Sequence, residues 1–196
     1  MTELSQTRLL MTKAAGTPLR GWEELGIHVQ TKSFERGQQI FAAGERQPYI
    51  YVIRTGIVKL CYLNENGGEW IKSFIGEGGY FACPNAVLNG GETDYFAVAA
   101  DNTVLEQTPY AALQRLAECD PDWQKAIRSL LEAHILRKDQ RERELLTMTP
   151  EERYISFMQT QEELASRIQM KDIAKYLGVT PEALSRIRRR LIDKLI

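Results

Sequence analysis

The sequence has few of the residues that build metal centres and disulfide frameworks. It holds two histidines, and its three cysteines, Cys61, Cys83 and Cys119, are too widely spaced to form a CxxC pair. This spacing argues against zinc and iron–sulfur sites and predicts reduced thiols in a cytoplasmic protein. We therefore expect no metal and no cofactor. A cupin-type enzyme is also disfavoured, because its site needs a cluster of His and Glu ligands; stoichiometric metal would revive that alternative.

Long apolar runs and a large net charge are also lacking. The N-terminus has no sustained apolar core of the kind found in signal peptides, and no run reaches the roughly 20 apolar residues that span a bilayer. The net charge of -1 argues against indiscriminate nucleic-acid binding. However, residues 169–196 hold seven basic and three acidic residues, so this segment carries +4. The asymmetry predicts a C-terminal module that meets phosphates, although a solvated basic helix end would explain the charge alone.

The C-terminal stretch 170–191 has the pattern of a helix-turn-helix. Gly178 ends a first short helix, and Thr180-Pro181 begins a second one with an N-cap followed by proline at the first helical position. Each helix has one apolar face, formed by Ile173, Ala174 and Leu177 and by Leu184, Ile187 and Leu191. An ordinary helical hairpin is the alternative, but the turn, the small residue, the cap and both faces agree with a DNA-binding unit.

The polar face of the second helix holds the candidate DNA-binding residues. Glu182, Ser185, Arg186 and Arg189 recur at i, i+3, i+4 and i+7, so they share the side opposite the apolar face. Arginine and glutamate on one exposed helical face can donate to and accept from base edges in the major groove. We expect Thr180 and Arg189 to contact phosphates, which position a protein without specifying a sequence.

Residues 31–105 have β character. Short apolar and aromatic bursts alternate with glycines, which indicates a sandwich or barrel. The clearest hairpin runs from Ile57–Leu63 through residues 64–68 into Trp70–Ile75. Residues 1–20 are polar and are predicted to be weakly structured, and a short helix around Trp22–Leu25 follows them.

From residue 108 the pattern is helical. Pro109–Ala117 predicts one short helix, and Asp120 then caps a long helix that begins with Pro121. Its broad apolar stripe must cover either the β domain or a twin helix in a dimer; it consists of Trp123, Ile127, Leu130, Leu131, His134, Ile135 and Leu136. A cap, a proline and two acids begin a further helix at Thr149-Pro150-Glu151-Glu152, with core contacts from Tyr154, Ile155, Phe157 and Met158.

The predicted divisions are a sensor domain at 1–118, a dimerisation helix and hinge at 119–148, and a DNA-binding domain at 149–196.

The segment FERGQQIFAAGERQPYIYVIRTGIVKL (Phe34–Leu60) resembles the opening β-roll signature of the CRP/FNR superfamily of bacterial transcription regulators. The order of β-roll, long helix and helix-turn-helix is also similar to that family. The resemblance implies an α+β fold. Its parts are an N-terminal double-stranded β-helix (a jelly roll like that of cyclic-nucleotide-binding domains), a long dimerisation helix and a C-terminal winged-helix-like helix-turn-helix. Because the sequence stops at Ile196, we expect the usual β-hairpin wing to be absent.

The resemblance fails at the effector site. Cyclic-nucleotide-binding members hold ribose with a glutamate and the phosphate with an arginine; here an ungapped alignment puts Cys83 and Thr93 at those positions. The FIGE motif at Phe74–Glu77 is out of register, and Lys72 is the only cation between residues 70 and 113. A buried phosphate without a guanidinium would stay uncompensated, so we expect an effector other than cyclic AMP, or none.

The predicted effector pocket lies around Tyr80, Phe81, Cys83 and Thr93. It either holds an apolar ligand or is filled by its own side chains, and Cys83 is either a redox-responsive thiol or a small buried hydrophobe. His28 and His134 are more commonly structural or surface residues than haem ligands.

In the second helix of the helix-turn-helix, the resemblance to the family extends to the DNA-binding residues. Glu182, Ser185 and Arg186 form an E-x-x-S-R pattern like that of the FNR branch, in which the arginine donates to a guanine and the glutamate accepts from a cytosine amino group. Ser185 would add a base or phosphate contact. Pro181 stands where some relatives have a base-reading arginine, so we expect a different half-site.

The sequence thus predicts a non-enzymatic transcription regulator that binds a palindromic DNA site as a homodimer. Its expected partners are double-stranded DNA, a second copy of the chain, RNA polymerase and an unknown small-molecule effector, and no membrane. The alternative is a sensor or scaffold that acts through protein contacts with a vestigial DNA module. The sequence does not predict whether the protein activates or represses, or which genes it controls.

Overall fold

A computed structural model describes residues 5–63 and 67–193. The strands are β1 (Gln30–Phe34), β2 (Gln39–Phe41), β3 (Tyr49–Thr55), β4 (Val58–Leu63), β5 (Glu69–Ile75), β6 (Tyr80–Phe81), β7 (Phe96–Ala99) and β8 (Thr103–Pro109). The helices are α1 (Gln6–Ala15), α2 (Trp22–Gly26), α3 (Pro84–Asn89), α4 (Tyr110–Cys119), α5 (Pro121–Thr147), α6 (Pro150–Thr160), α7 (Glu162–Ala165), α8 (Met170–Leu177) and α9 (Pro181–Asp193). None of these helices is long and apolar enough to span a membrane.

The strands form two antiparallel four-stranded sheets, in the orders β1-β8-β3-β6 and β2-β7-β4-β5. Most neighbours in these sheets are distant in sequence, which is the mark of a β-roll rather than a meander. The predicted hairpin is confirmed, because β4 pairs with β5 from Val58 opposite Ile75 to Leu63 opposite Glu69. The middle of its turn, residues 64–66, lies outside the described residues. The predicted α+β fold with an N-terminal jelly roll is confirmed.

The second sheet is buried on both faces. On β4, Val58 and Leu60 point into the core between the sheets, where Tyr51 of β3 and Phe81 of β6 stack at a ring distance of 4.8 Å. Cys61 belongs to a second core, which forms where the outer face of this sheet meets the C-terminal helices. Apolar residues on both faces of β4 and β5 therefore explain why the sheet carries a further layer.

Residues 6–15 form the helix α1, so the prediction of a weakly structured segment was wrong for these residues. Met11 and Ala15 of α1 are fully buried in a core shared with Trp123 of α5. The buried carboxylate of Glu106 on β8 accepts hydrogen bonds from Thr7 N at 2.8 Å and Thr7 Oγ1 at 2.7 Å. The apolar face of α1 is too narrow to identify from the sequence. Glu106, which stabilises this helix, lies about a hundred residues away along the chain.

The long helix α5 begins as predicted. The Asp120 side chain accepts from Asp122 N at 2.9 Å, and Pro121 occupies the first turn. Trp123 and Leu130 of its first half pack against α1 and α4. The first half of the apolar stripe is therefore covered by the same chain. Further along, Ile135 and Leu136 remain 63% and 68% exposed. The stripe thus covers the β-roll's helical layer at one end and is uncovered at the other.

Candidate nucleic-acid interface

The turn between α8 and α9 is built by Gly178. Its φ of +72° is a left-handed conformation that non-glycine residues adopt only at a cost, and the next amide, Val179 N, donates to Ala174 O at 3.0 Å. Thr180 then caps α9, since its Oγ1 accepts from Ala183 N at 3.2 Å. The glycine turn and the threonine N-cap that the sequence predicted are both found in this turn.

The apolar faces of both helices are buried as predicted. Ile173, Ala174 and Leu177 of α8 are fully buried, and so are Leu184 and Ile187 of α9. Leu191, in the last turn of α9, is only half-buried. Burial of these faces fixes α9 against α8 and determines which side of α9 meets solvent.

That side carries all five predicted DNA-binding residues. Thr180, Glu182, Ser185, Arg186 and Arg189 are exposed together. Hydrogen bonds from its own backbone N–H and from Thr180 hold the pKa of Glu182 below its ordinary value, so this carboxylate is ionised and accepts hydrogen bonds.

The face is also positively charged. Across the part of the chain that the structure describes, Arg186, Arg188 and Arg189 have no carboxylate within 4.0 Å, whereas Arg190 Nη2 lies 3.4 Å from Glu151 Oε2. Exposed guanidinium groups without a carboxylate partner suit phosphate and base contacts. No group of three or more His, Cys, Asp or Glu residues within 5–63 and 67–193 is arranged to hold a metal ion.

The helix-turn-helix module is docked on the β-roll. Arg167 bridges it to two carboxylates, with Nη1 at 2.9 Å from Glu77 Oε1 and Nη2 at 2.8 Å from Asp101 Oδ2. Beside these pairs, Phe74 of β5, Phe157 of α6 and Tyr176 of α8 form an aromatic cluster with ring distances of 5.2 to 6.2 Å. The helix-turn-helix module is thus joined to the β-roll through α8 and its neighbours, which leaves the polar face of α9 exposed to solvent.

The residues of the predicted effector pocket separate in the structure. Tyr80 and Phe81 line a cavity beside α5, whereas Cys83 and Thr93 do not line it. Thr93 Oγ1 donates to Ala42 O at 2.9 Å, and Cys83 Sγ lies 3.7 Å from Asp94 Oδ1. The position aligned with the arginine of cyclic-nucleotide-binding members thus has a satisfied hydroxyl, with the Asp94 carboxylate as its neighbour, instead of a guanidinium.

The sequence pattern pointed to Lys72 but not to the basic residues of α5 that line this cavity with it. Lys72 enters it from β5, and Arg137, Lys138 and Arg141 enter it from α5. The run RKDQRERE after Leu136 is charged on all sides of the helix, so its periodicity does not reveal which cations turn inward.

Residues 31–120 match the model of the cyclic nucleotide-binding domain. The "Fumarate and nitrate reduction regulatory protein" of Vibrio cholerae is 27% identical in an alignment of 173 residues that covers 81% of this chain and 67% of that protein. The "Anaerobic regulatory protein" of Pasteurella multocida is 28% identical over 171 residues, 82% of this chain and 62% of that protein. These matches support a transcription regulator of the CRP/FNR family. The matched stretch thus spans about two-thirds of the length of these curated relatives.

A solved structure, FixK2 from Bradyrhizobium japonicum, shares the fold. Its TM-score is 0.76 with 86% of each chain covered, at 22% sequence identity. The assignment to the CRP/FNR family is therefore supported by the relatives, the domain model and the order of the elements together, and FixK2 supports the fold.

Proposed function

We propose that this CRP/FNR regulator binds a palindromic DNA site as a homodimer and reads its sequence with α9. The observation that carries the proposal is that α9 has two different faces. Its apolar face buries Leu184 and Ile187, and its E-x-x-S-R face is exposed to solvent. A helix with this division fits the major groove, which is about 12 Å wide. Such a regulator works in the cytoplasm, where the DNA lies, together with RNA polymerase.

The base-reading roles follow from the chemistry of the exposed face. Arg186 would donate to guanine O6 and N7, the commonest specific contact, and the ionised Glu182 would accept from a cytosine amino group. Ser185 lies between them on the same face, and Thr180 and Arg189 at its edges would hold phosphates.

The uncovered part of α5 supports the homodimer. Leu131, Ile135 and Leu146 are 43%, 63% and 77% exposed on a helix whose first half is well packed. Exposed apolar positions one turn apart on a long helix, such as Leu131 and Ile135, indicate an interface. A second copy of α5 is the partner we propose, because helix-turn-helix proteins commonly bind paired half-sites one helical turn apart.

The effector of this regulator is either absent or is not cyclic AMP. Cys83 and Thr93 replace the two ligands that the family uses, and Asp94 adds a negative charge beside Cys83. The direction of regulation, activation or repression, follows from where the site lies relative to a promoter and not from the chain alone.

Selection of bound sequences from random DNA tests the proposal. We expect a palindromic site, and Arg186→Ala and Glu182→Ala should each weaken binding to it by about 1–3 kcal/mol and relax one base position. Arg46→Ala, at an exposed arginine between β2 and β3, outside both α9 and α5, is the matched control and should bind as the unaltered protein does. Unchanged binding by the two reader variants would show that other residues read the bases. Absence of any enriched sequence would favour a sensor that acts through protein contacts.

A further inference from the structure

A cavity of about 670 Å³ lies where the β-roll, α5 and the docked helix-turn-helix module meet. Its walls include Lys72 and Tyr95 of the β-roll, His134 and Arg141 of α5, and Tyr176 of α8. The volume falls in the range of roughly 300–1,000 Å³ that is typical of small-molecule sites. Neither Cys83 nor Thr93 lines it, so it differs from the pocket that the sequence alignment suggests.

Cations in this cavity are stacked on tyrosine rings. Lys72 Nζ lies 4.3 Å from the ring centre of Tyr95, and Arg141 Cζ lies 3.8 Å from that of Tyr176. Basic side chains outnumber acidic ones in the lining, five to two: Lys72, Arg137, Lys138, Arg141 and Arg153 against Glu142 and Glu144. The cavity thus combines a positive potential with aromatic walls.

Residues that line the cavity carry buried polar atoms without partners. Within the described ranges, five buried side-chain nitrogen or oxygen atoms lack a hydrogen-bond partner, and three of them belong to its lining: Tyr95 Oη, His134 Nε2 and Arg141 Nη1. Tyr95 is 1% exposed, and Arg141 Nη1 lies 3.9 Å from its nearest carboxylate, Glu144 Oε2, beyond hydrogen-bond distance. Buried polar atoms are rarely left unpaired, because each costs free energy in the folded state.

We infer that this cavity binds a small organic anion, a carboxylate or phosphate monoester with an aromatic or apolar body. The anionic group pairs with Arg141 and Lys72 and accepts from Tyr95 Oη, and the body packs on the tyrosine and phenylalanine rings. His134 belongs to the same lining: burial first, and then the charges of Arg137, Lys138 and Lys72, lower its pKa, in agreement with a positive potential in the cavity.

The ligand's position joins the sensor to the reader. Arg141 donates to the carbonyl oxygen of Tyr176 as well as stacking on its ring, and Tyr176 lies in α8, which packs directly against α9. An anion at Arg141 therefore contacts the β-roll, α5 and α8 at once and favours their docked arrangement. The effect of the anion on DNA binding rests on the proposed function, whereas binding of the anion to the free protein does not.

Calorimetric titration of the full chain tests binding, with 2-naphthoate, benzoate and phenyl phosphate as probes and neutral 2-naphthamide as the matched control. We expect at least one anion to bind with a dissociation constant below about 1 mM. Lys72→Met and Tyr95→Phe should each weaken it about tenfold, and Arg128→Gln should not. Tyr95→Phe removes only a hydroxyl, so it leaves the packing in place.

Nuclear magnetic resonance adds a site-specific reading, because the chain has two histidines. The bound anion should shift the ring signals of His134, and those of His28, which does not line the cavity, should stay in place. Three results would overturn the inference: no saturable binding of any anionic probe, binding that is insensitive to Lys72→Met and Tyr95→Phe, or tighter binding of cyclic AMP than of every probe.

Discussion

Lys59 Nζ lies 3.2 Å from Asp172 Oδ2, an ion pair that joins β4 of the sensor to α8 of the reader. The two side chains are only 13% and 8% exposed, and Asp172 Oδ1 has no hydrogen-bond partner among the described residues. The Asp172 carboxylate therefore depends on Lys59 for compensation, whereas Lys59 Nζ also lies 4.0 Å from Glu69 Oε2, and the docked arrangement includes a desolvated electrostatic contact.

Removing one partner of this pair should be costly. We expect Lys59→Met to lower the free energy of unfolding by about 3 kcal/mol, because it leaves the buried Asp172 carboxylate unpaired. Urea denaturation measures the loss, and Lys59→Met combined with Asp172→Leu should recover most of it. Arg128→Met breaks an exposed pair with Glu132 at 3.7 Å and should cost less than about 1 kcal/mol. Equal losses from the two single variants would mean that the interdomain pair is not desolvated.

Gly56 and Gly44 make a matched pair for a second prediction. Their φ angles are +92° and +86°, but a Cβ at Gly56 would lie 2.3 Å from the Asn102 carbonyl oxygen, whereas one at Gly44 would meet nothing within 4 Å. Gly44→Ala should therefore cost about 1–2 kcal/mol for its left-handed backbone alone. Gly56→Ala should cost about 3 kcal/mol or more, because backbone must move as well. Thermal unfolding of the two variants compares them, and equal costs would contradict the predicted clash.

The sequence predicts correctly those features whose physical cause lies within a few residues along the chain. The caps at Asp120, Thr149 and Thr180 and the turn at Gly178 depend on residues within four positions, and each is found where the pattern indicates. Helix α1 depends on the distant Glu106, so its own composition does not reveal it. Similarly, Arg141 turns inward only because Tyr176 is brought against it by domain docking, which no helical period encodes.

The Glu106 carboxylate should make stability depend on pH. Burial raises its pKa, but hydrogen bonds from Ser5, from Thr7 and from two backbone amides outweigh this and lower it below the ordinary value. A carboxylate with a lowered pKa stabilises the folded state above its unfolded pKa and loses this contribution as the pH falls through the folded pKa. Glu106→Gln should therefore cost about 2 kcal/mol at pH 7, and the difference should shrink below about pH 4.

Chemical denaturation at a series of pH values measures this effect. The exposed Glu24 of α2 provides the control, since Glu24→Gln changes a side chain in solvent and should alter stability little at pH 7. A cost for Glu106→Gln that stays constant down to pH 3 would show that the hydrogen bonds from α1 do not favour the ionised form.

The three thiols should differ in reactivity. Burial raises the pKa of Cys61 to about 12, and both Cys61 and Cys83 are buried, whereas Cys119 at the end of α4 is exposed. Because the thiolate is the reacting form and needs access, a disulfide reagent should modify one thiol per folded chain quickly, and three after denaturation. Cys119→Ser should remove the fast reaction. Rapid modification of Cys83 in that variant would instead support the redox-responsive role that the sequence left open.

The exposed end of the α5 stripe should determine the oligomeric state. Ile135 is 63% exposed at the centre of the uncovered segment, and a charge placed there in a paired helix would be buried without a partner. We expect sedimentation to give about twice the chain mass of 22.4 kDa for the unaltered protein and a single chain mass for Ile135→Glu. Ile27→Glu is the control, since Ile27 is 79% exposed next to α2 and lies outside the stripe. Because the proposed operator has two half-sites, Ile135→Glu should also weaken operator binding while leaving the folded chain intact. A dimer that persists in Ile135→Glu would mean that another surface joins the two chains.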